Sequence, residues 1–390
     1  MHPSANLFAG LVLVVLIHLI VSYKRRGDLP PGPRRLPLVG NLRDLKASKD
    51  EPRWVSYHKL ARRYGEVIYT ELFGSSIVIL DSQKAVTELL EVRSNNFSDR
   101  PLMYMANELV GFKWDLSQMG YSDDWKLHRK TFHQFFQQRA TPGYRSVEKT
   151  EAKTYARKLV SSPGEFYSLT RHYTSAVILQ LAYGYTLERD DDPYLELVDE
   201  AMVGFNAMIV PGSFLVDHLP LLKYVPSWFP GGDFKRKAKR WTAYARDVKD
   251  IPWKWVNQAL ANGTAVPSFA TQNISKYSVV PGENNPMEDV IRNCAGVAYT
   301  AGTDTMASTL LSFILMMVLY PEVQDRAHAE IDAVTEGSRL PNFSDQPDLP
   351  FIGAILAETL RCYPPSPLGL AHASVDDDFY GGYFIPAGEL

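Results

Sequence analysis

The chain has 390 residues, an apolar fraction of 45% and a net charge of -3. That suits one large domain or two around a sizeable core and argues against a nucleic-acid binder. Cys294 and Cys362 are its only cysteines, so a disulfide framework and a cysteine-rich zinc site are excluded, and a reduced, intracellular setting fits best.

Leu7 to Val21 is nearly all aliphatic, and no Asp, Glu, Lys or Arg precedes Lys24-Arg25-Arg26. With Ala5 to Tyr23 contributing, the stretch is long enough to span a bilayer. A cleaved signal peptide is the alternative, but a basic n-region and a small-x-small cleavage site are both missing. Residues 1–26 therefore read as a retained anchor with a lumenal N-terminus and a cytosolic body. The glycosylation tripeptides at Asn96, Asn262, Asn273 and Asn342 then read as ordinary surface loop residues. Residues 27–45 carry Leu29-Pro30-Pro31-Gly32-Pro33 and Leu36-Pro37-Leu38-Val39-Gly40-Asn41, a stiff, proline-rich hinge between membrane and body.

A helix is expected from Trp54 to Tyr64, then a hairpin of Val67 to Leu72 and Ser76 to Leu80 around Phe73-Gly74-Ser75. From Ser82 the period turns helical: Lys84 to Val92, Asp124 to Gln137, Val147 to Leu159, Leu169 to Tyr183, Tyr194 to Met208, Asp233 to Leu260 and Met287 to Leu319. The stretch Ile209 to Gly232 breaks into Pro-rich pieces with Phe214, Leu221, Leu222, Trp228 and Phe229, and is either packed on the core or in contact with the bilayer. Lys235, Arg236, Lys237, Lys239 and Arg240 follow it, as a solvated helix face or a contact for headgroups or an acidic partner. The fold class is mainly α with small β portions (α+β).

Three patterns carry chemistry. Ala301-Gly302-Thr303-Asp304-Thr305 interrupts the apolar run of the longest helix. Gly302 there permits close approach of a ligand, and Asp304 with Thr305 forms an acid-alcohol pair able to pass protons; a glycine-weakened core helix with a self-satisfied threonine is the plainer reading. Glu358 and Arg361, three apart before Tyr363-Pro364-Pro365, share a helix face and can pair. Trp125 and Arg129, four apart, aim an indole N–H and a guanidinium the same way, as a carboxylate receptor or a cation–π surface pair.

In this order, with the anchor, the P-P-G-P and L-P-L-V-G-N hinge and Tyr380-Gly381-Gly382-Tyr383-Phe384-Ile385-Pro386-Ala387-Gly388, the motifs make nearly the whole chain resemble the cytochrome P450 superfamily of heme-thiolate monooxygenases. Ser98-Asp99-Arg100-Pro101 and Phe234 to Ala238 resemble microsomal enzymes of fungal secondary or xenobiotic metabolism. The resemblance implies a P450 catalytic domain over 46–390, heme b (iron protoporphyrin IX), O2 as co-substrate and NADPH used only through a reductase. It implies that Asp304 and Thr305 deliver protons to iron-bound dioxygen and that Ala301 and Gly302 leave room for oxygen. Trp125 and Arg129 bind heme propionates, His372 is an additional propionate donor or a loop histidine without a role, and Glu358 and Arg361 lock the structure. Substrate contacts are implied in Leu102 to Gly120, Phe205 to Phe214, Cys294 to Thr305 and Ser366 to Ala371, mostly apolar segments that suit a lipophilic small molecule. The implied setting is the endoplasmic reticulum membrane, single-pass, with NADPH-cytochrome P450 reductase and cytochrome b5 as partners and no nucleic acid.

The family's thiolate loop, F-x-x-G-x-R-x-C-x-G, is expected downstream of E-x-x-R and is not found before Leu390. Cys294 precedes Thr305 by eleven residues, about 16 Å at 1.5 Å per residue, and Cys362 adjoins Arg361, so neither is expected to ligate the iron. The expectation is a fold incomplete at its C-terminus and an inactive fragment of a monooxygenase, with no axial metal ligand in the chain. The alternatives are a non-catalytic, membrane-anchored helical binding module and a membrane transporter, for which the spans are too few.

Overall fold

The protein is described from a computed structural model that covers residues 29–45, 51–210, 212–280 and 283–388; the anchor expected at 1–26 lies outside the described residues. The body expected as one domain over 46–390 divides into two compact units. One is formed by the chain up to Pro101 with the segment from Ala371 onward, the other by Leu102–Leu370.

In the first unit, α1 (Arg53–Tyr64) leads into β1 (Val67–Leu72) and β2 (Ser75–Leu80), paired antiparallel from Val67↔Leu80 to Leu72↔Ser75. The tight turn puts Phe73 at φ 50° and Gly74 at φ 85°, the positive pair that matches the twist of the strands. Ile68, Leu72, Ile77 and Ile79 bury against Ala61 and Leu45. The proline-rich stretch is not a free spacer: it lies on β1. The Tyr69 amide donates to the Pro31 carbonyl at 3.0 Å, the Asn41 amide to the Glu71 carbonyl at 2.6 Å, and Arg35 pairs with Glu71 at 2.9 Å. At Gly32 a Cβ would lie 1.9 Å from the Tyr69 carbonyl oxygen, so only glycine fits this approach. A second hairpin, β3 (Asp378–Tyr380) with β4 (Tyr383–Ile385), is tied back by Arg93, which bonds Asp378 at 2.9 Å and the Phe379 carbonyl at 2.8 Å. Asn96 serves the same segment, accepting from the amides of Val375 and Asp376.

The second unit is helical: α2 (Asp123–Phe136), α3 (Arg145–Ser161), α4 (Phe166–Tyr183), α5 (Pro193–Met208), α6 (Asp233–Ala261), α7 (Phe269–Lys276), α8 (Pro286–Leu319), α9 (Pro321–Thr335) and α10 (Pro350–Cys362). The fold is mainly α with small β portions, as the period predicts. The sequence reading ends a helix at Leu319, before Pro321, and omits α9. Pro321 does end α8, and it also sits at the first position of α9, where its missing N–H costs nothing. It also omits α7, which opens on a Ser268/Thr271 capping box. Asn273 is no surface loop residue: it is buried in α7 and donates to the Phe269 carbonyl at 2.8 Å.

Helix α8 organises the unit. Asn285 caps it by accepting from the Met287 amide at 3.0 Å, with Glu288 and Asp289 in the first turn. Length and composition alone would let α8 cross a membrane, but it packs against α2, α4, α5, α6, α7, α9 and α10. Ile291, Ala295, Ala298 and Tyr299 sit in the main core with Leu179, Tyr183, Met208 and Phe269. The 209–232 stretch sends Phe214 and Leu222 onto that core, yet Leu221 is 80% and Trp228 78% exposed.

Candidate active site

The pentapeptide lies in α8 where burial on all sides gives way to burial on one. Val297, Ala301 and Thr305 fall at i, i+4 and i+8, hence on one face; Val297 is buried, and Ala301 and Thr305 are exposed. Thr305 Oγ1 donates to the Ala301 carbonyl at 2.8 Å and Thr309 Oγ1 to the Thr305 carbonyl at 2.9 Å. The Thr305 hydroxyl proton is therefore committed to its own helix, and its oxygen keeps lone pairs for an incoming donor.

Gly302 lies against α4. A Cβ there would come within 2.9 Å of Cγ1 and 3.0 Å of Cδ1 of Ile178 on α4. The close approach that glycine permits on this side is made by a neighbouring helix, α4, through Ile178.

Asp304 also turns away from its expected partner. Its Oδ1 accepts from Arg171 Nη1 of α4 at 3.2 Å and its Oδ2 from Asn206 Nδ2 of α5 at 3.2 Å. Arg171 reaches Asp199 as well, through Nε at 2.9 Å and through Nη2. Successive helix residues point about 100° apart, so the acid faces α4 and α5 while the alcohol faces outward, and the two are not joined as a pair. On the acid's side an open cleft of about 380 Å³ is lined by Tyr167, Arg171, Asp304, Ser308, Leu311 and Leu315. Sequence reading missed Arg171 and Asn206, because no local spacing links residues so far apart in the chain.

Trp125 and Arg129 stand on α2, whose N-terminus Ser122 caps by accepting from the Trp125 amide at 3.2 Å. The Trp125 ring is half-buried against Leu116, Met119 and Val297, one turn before Ala301 on α8, and Arg129 is exposed one turn farther along α2. The structure thus sets the indole beside the Val297–Ala301–Thr305 face. His372, in the other unit, is half-buried, with Nδ1 at 2.6 Å from the Phe97 carbonyl. Burial pushes its pKa down, the nearby Arg100 charge adds to this, and the Phe97 carbonyl works the other way.

Glu358 and Arg361 form a two-pronged pair on α10, both bonds 2.7 Å, with side chains 50% and 71% exposed. The Arg361 hydrogen bonds hold the Glu358 carboxyl down at about 2. The α10 N-terminus is held by a residue sequence reading missed: Glu330 of α9 accepts from the amides of Phe351 and Ile352 at 2.9 and 3.0 Å, placing a carboxylate where the helix dipole favours it.

Cys294 is buried, its Sγ 3.4 Å from the His128 carbonyl, and burial pushes its thiol pKa up strongly. Cys362 is exposed, 3.5 Å from Glu358 Oε1 and 3.3 Å from Arg361 Nη2. Brief treatment of the native protein with iodoacetamide at pH 8 is expected to label Cys362 alone, and treatment in guanidinium both. Peptide mass spectrometry reads this directly; native labelling of Cys294 would contradict its placement.

The residues present fit one side and the edge of a flat, anionic-edged cofactor. The exposed Ala301 and Thr305 offer small, partly polar surface, and α2, which packs on α8, carries two donor side chains, Trp125 and the exposed Arg129. Neither cysteine stands on that face.

The sequence model of the family described as Cytochrome P450 matches residues 30–390. Cytochrome P450 monooxygenase 208 of Postia placenta is 38% identical over 388 residues, covering 98% of this chain and 74% of its own length. Cytochrome P450 monooxygenase COX2 of Coprinopsis cinerea is 36% identical, covering 100% and 73%. Cytochrome P450 monooxygenase ARMGADRAFT_974139 of Armillaria gallica is 37% identical, covering 97% and 74%. With a match of this extent on a mostly helical fold whose longest helix carries the A-G-T-D-T segment, the chain belongs to the cytochrome P450 family.

Proposed function

We propose that the chain is a heme-thiolate monooxygenase sequence of fungal type, directed at a lipophilic small molecule, whose 390 residues do not themselves supply the axial thiolate. The observation that carries this reading is the Val297–Ala301–Thr305 face of α8 with Trp125 packed against its first turn. Heme b, when bound, supplies the activation of dioxygen. Trp125 and Arg129 hold its propionates, and Ala301 keeps the face beside Thr305 low. Thr305 Oγ1, oriented by its bond to the Ala301 carbonyl, accepts a hydrogen bond from whatever lies against that face. Asp304 is a proton source for Thr305 only after leaving Arg171 and Asn206. Glu358 and Arg361 are structural.

Residues 1–26 anchor the chain in the endoplasmic reticulum membrane with its body cytosolic. The exposed Leu221, Tyr224 and Trp228, followed by the basic start of α6, support a second contact with the lipid surface. Electrons come from a separate NADPH-cytochrome P450 reductase, with cytochrome b5 as a second donor. The mostly apolar run of Leu102 to Gly120 supports a lipophilic substrate. One observation favours a second reading, a non-catalytic binding module: Cys294 is committed to the core and Cys362 to the α10 pair.

Hemin titration of the purified chain tests the proposal. Quenching of tryptophan fluorescence is expected on binding, with affinity about tenfold lower for Arg129→Ala, the loss of one charge-assisted bond. The reduced, carbon monoxide-treated complex is expected to show no Soret band at the thiolate position. Absence of hemin binding sinks the heme assignment, and a thiolate band sinks the reading of the cysteines.

A further inference from the structure

Two segments of the larger unit are fastened to each other at two points. The π-helical turn Tyr104–Val110 buries Met105, Ala106 and Val110 in the core beside Phe205, Met208 and Val216. The Met105 amide, at the turn's N-terminal end, donates to Oδ1 of Asp217 on the short helix Leu215–His218 at 2.8 Å. Nearer the rim, Lys223 pairs with Glu108 at 2.8 Å and lies 5.1 Å over the Tyr104 ring. On its other flank the turn is held by Thr242 of α6, which donates to the Leu109 carbonyl at 3.2 Å.

We propose that Asp217 is the closing contact of a latch between the 104–110 turn and the 215–224 segment, and that ionisation of its carboxyl loosens the latch. Asp217 Oδ2 is buried with no hydrogen-bond partner among the described residues. A buried carboxylate with one oxygen unsatisfied is costly, whereas the neutral acid still offers Oδ1 to the Met105 amide. Burial accordingly lifts this carboxyl from its ordinary 3.8 to about 6, with only the Met105 hydrogen bond acting against it.

Other charged groups do not take over the role. On its own helix the neighbour is His218, which burial pushes toward the neutral form. In the following turn Lys223 is committed to Glu108. The core-facing side chains of α6, Ala238, Trp241 and Ala245, and of α5, Phe205 and Met208, carry no charge.

The sign follows from linkage. Released and hydrated, Asp217 titrates near 3.8; latched, near 6. The latched form binds the proton more tightly, so acidification through pH 6 favours closing and a rise through pH 6 favours opening. The gap between the two values limits the change in the closing equilibrium to roughly 100-fold. That the two segments border a substrate path rests on the proposed function; the latch itself does not, and its test involves no heme.

Hydrogen exchange read by mass spectrometry on the full chain, between pH 8 and pH 5 with times scaled to the intrinsic rate, decides the matter. Protection of peptides covering 104–110 and 215–224 is expected to be level above pH 6 and to rise below it, by about tenfold at pH 5. Asp217→Asn, which keeps an acceptor and removes the charge, is expected to be protected throughout the range, and Asp217→Ala throughout unprotected. A flat wild-type profile, or the same pH trend in Asp217→Asn, overturns the proposal. Should Asp217→Ala fail to fold, the wild type against Asp217→Asn is decisive by itself.

Discussion

Gly302→Val is expected to destabilise the larger unit by about 1–3 kcal/mol, the range for forcing extra methyls into a packed interface, and to lower its apparent Tm by about 2 °C or more. Helix propensity alone predicts the opposite sign, since valine is a better helix former than glycine. The steric effect wins because even the first added carbon would lie 2.9 Å from Ile178 Cγ1, and Ile178 is itself 7% exposed with no free side to move into. Ile178→Ala alone is expected to cost about 2–5 kcal/mol as a cavity mutation. In the double variant the valine methyls occupy part of that cavity, so the two costs should fall short of their sum. Thermal unfolding of the four proteins by circular dichroism gives the cycle. Additive costs, or an unaffected Gly302→Val, would mean that α8 and α4 are not in contact at this point.

That result bears on how a glycine in a functional motif is to be read. From sequence, Gly302 in an apolar helix beside two threonines and an acid invites a ligand; its contact with Ile178 is not visible there, because Ile178 is far away in the chain. The same limit explains Asp304. Its adjacency to Thr305 in sequence suggested a working pair, but the 100° step between helix neighbours sends one to α4 and α5 and the other outward. Period made the helices legible; in the structure Ser122 before α2, Asn285-Pro286 before α8 and Gly184 after α4 mark their ends by ordinary chemistry. Trp125 and Arg129 were legible for the same reason, as two residues on one helix face. What period cannot supply is the identity of the packing partner. Hence Arg171, Asn206 and Glu330, all of which act on another helix, escape it, and the proline-rich stretch 27–45 reads as a spacer although Pro31 and Asn41 within it hydrogen-bond to β1.

Arg171→Met is expected to be the most damaging single change at the acid end of the motif, costing about 2 kcal/mol. Arg171 is 16% exposed and bridges Asp199 and Asp304. Its removal leaves two carboxylates close together and without a counter-charge. Breaking a fully buried pair costs about 3–5 kcal/mol; the side chains of Asp304 and Asp199 are 31% and 44% exposed, and water screening of that degree brings the figure down. Methionine preserves most of the aliphatic stem, so the loss reports charge and hydrogen bonding more than packing. Asp304→Asn should cost less, because Arg171 keeps Asp199 as its partner. Combining the two should recover part of the Arg171→Met loss, since only one uncompensated carboxylate then remains. Urea unfolding followed by tryptophan fluorescence measures all four proteins. If Arg171→Met were neutral, or if Asp304→Asn made it worse, Asp304 would not be held by Arg171, and the acid would be available to Thr305 without first giving up a partner.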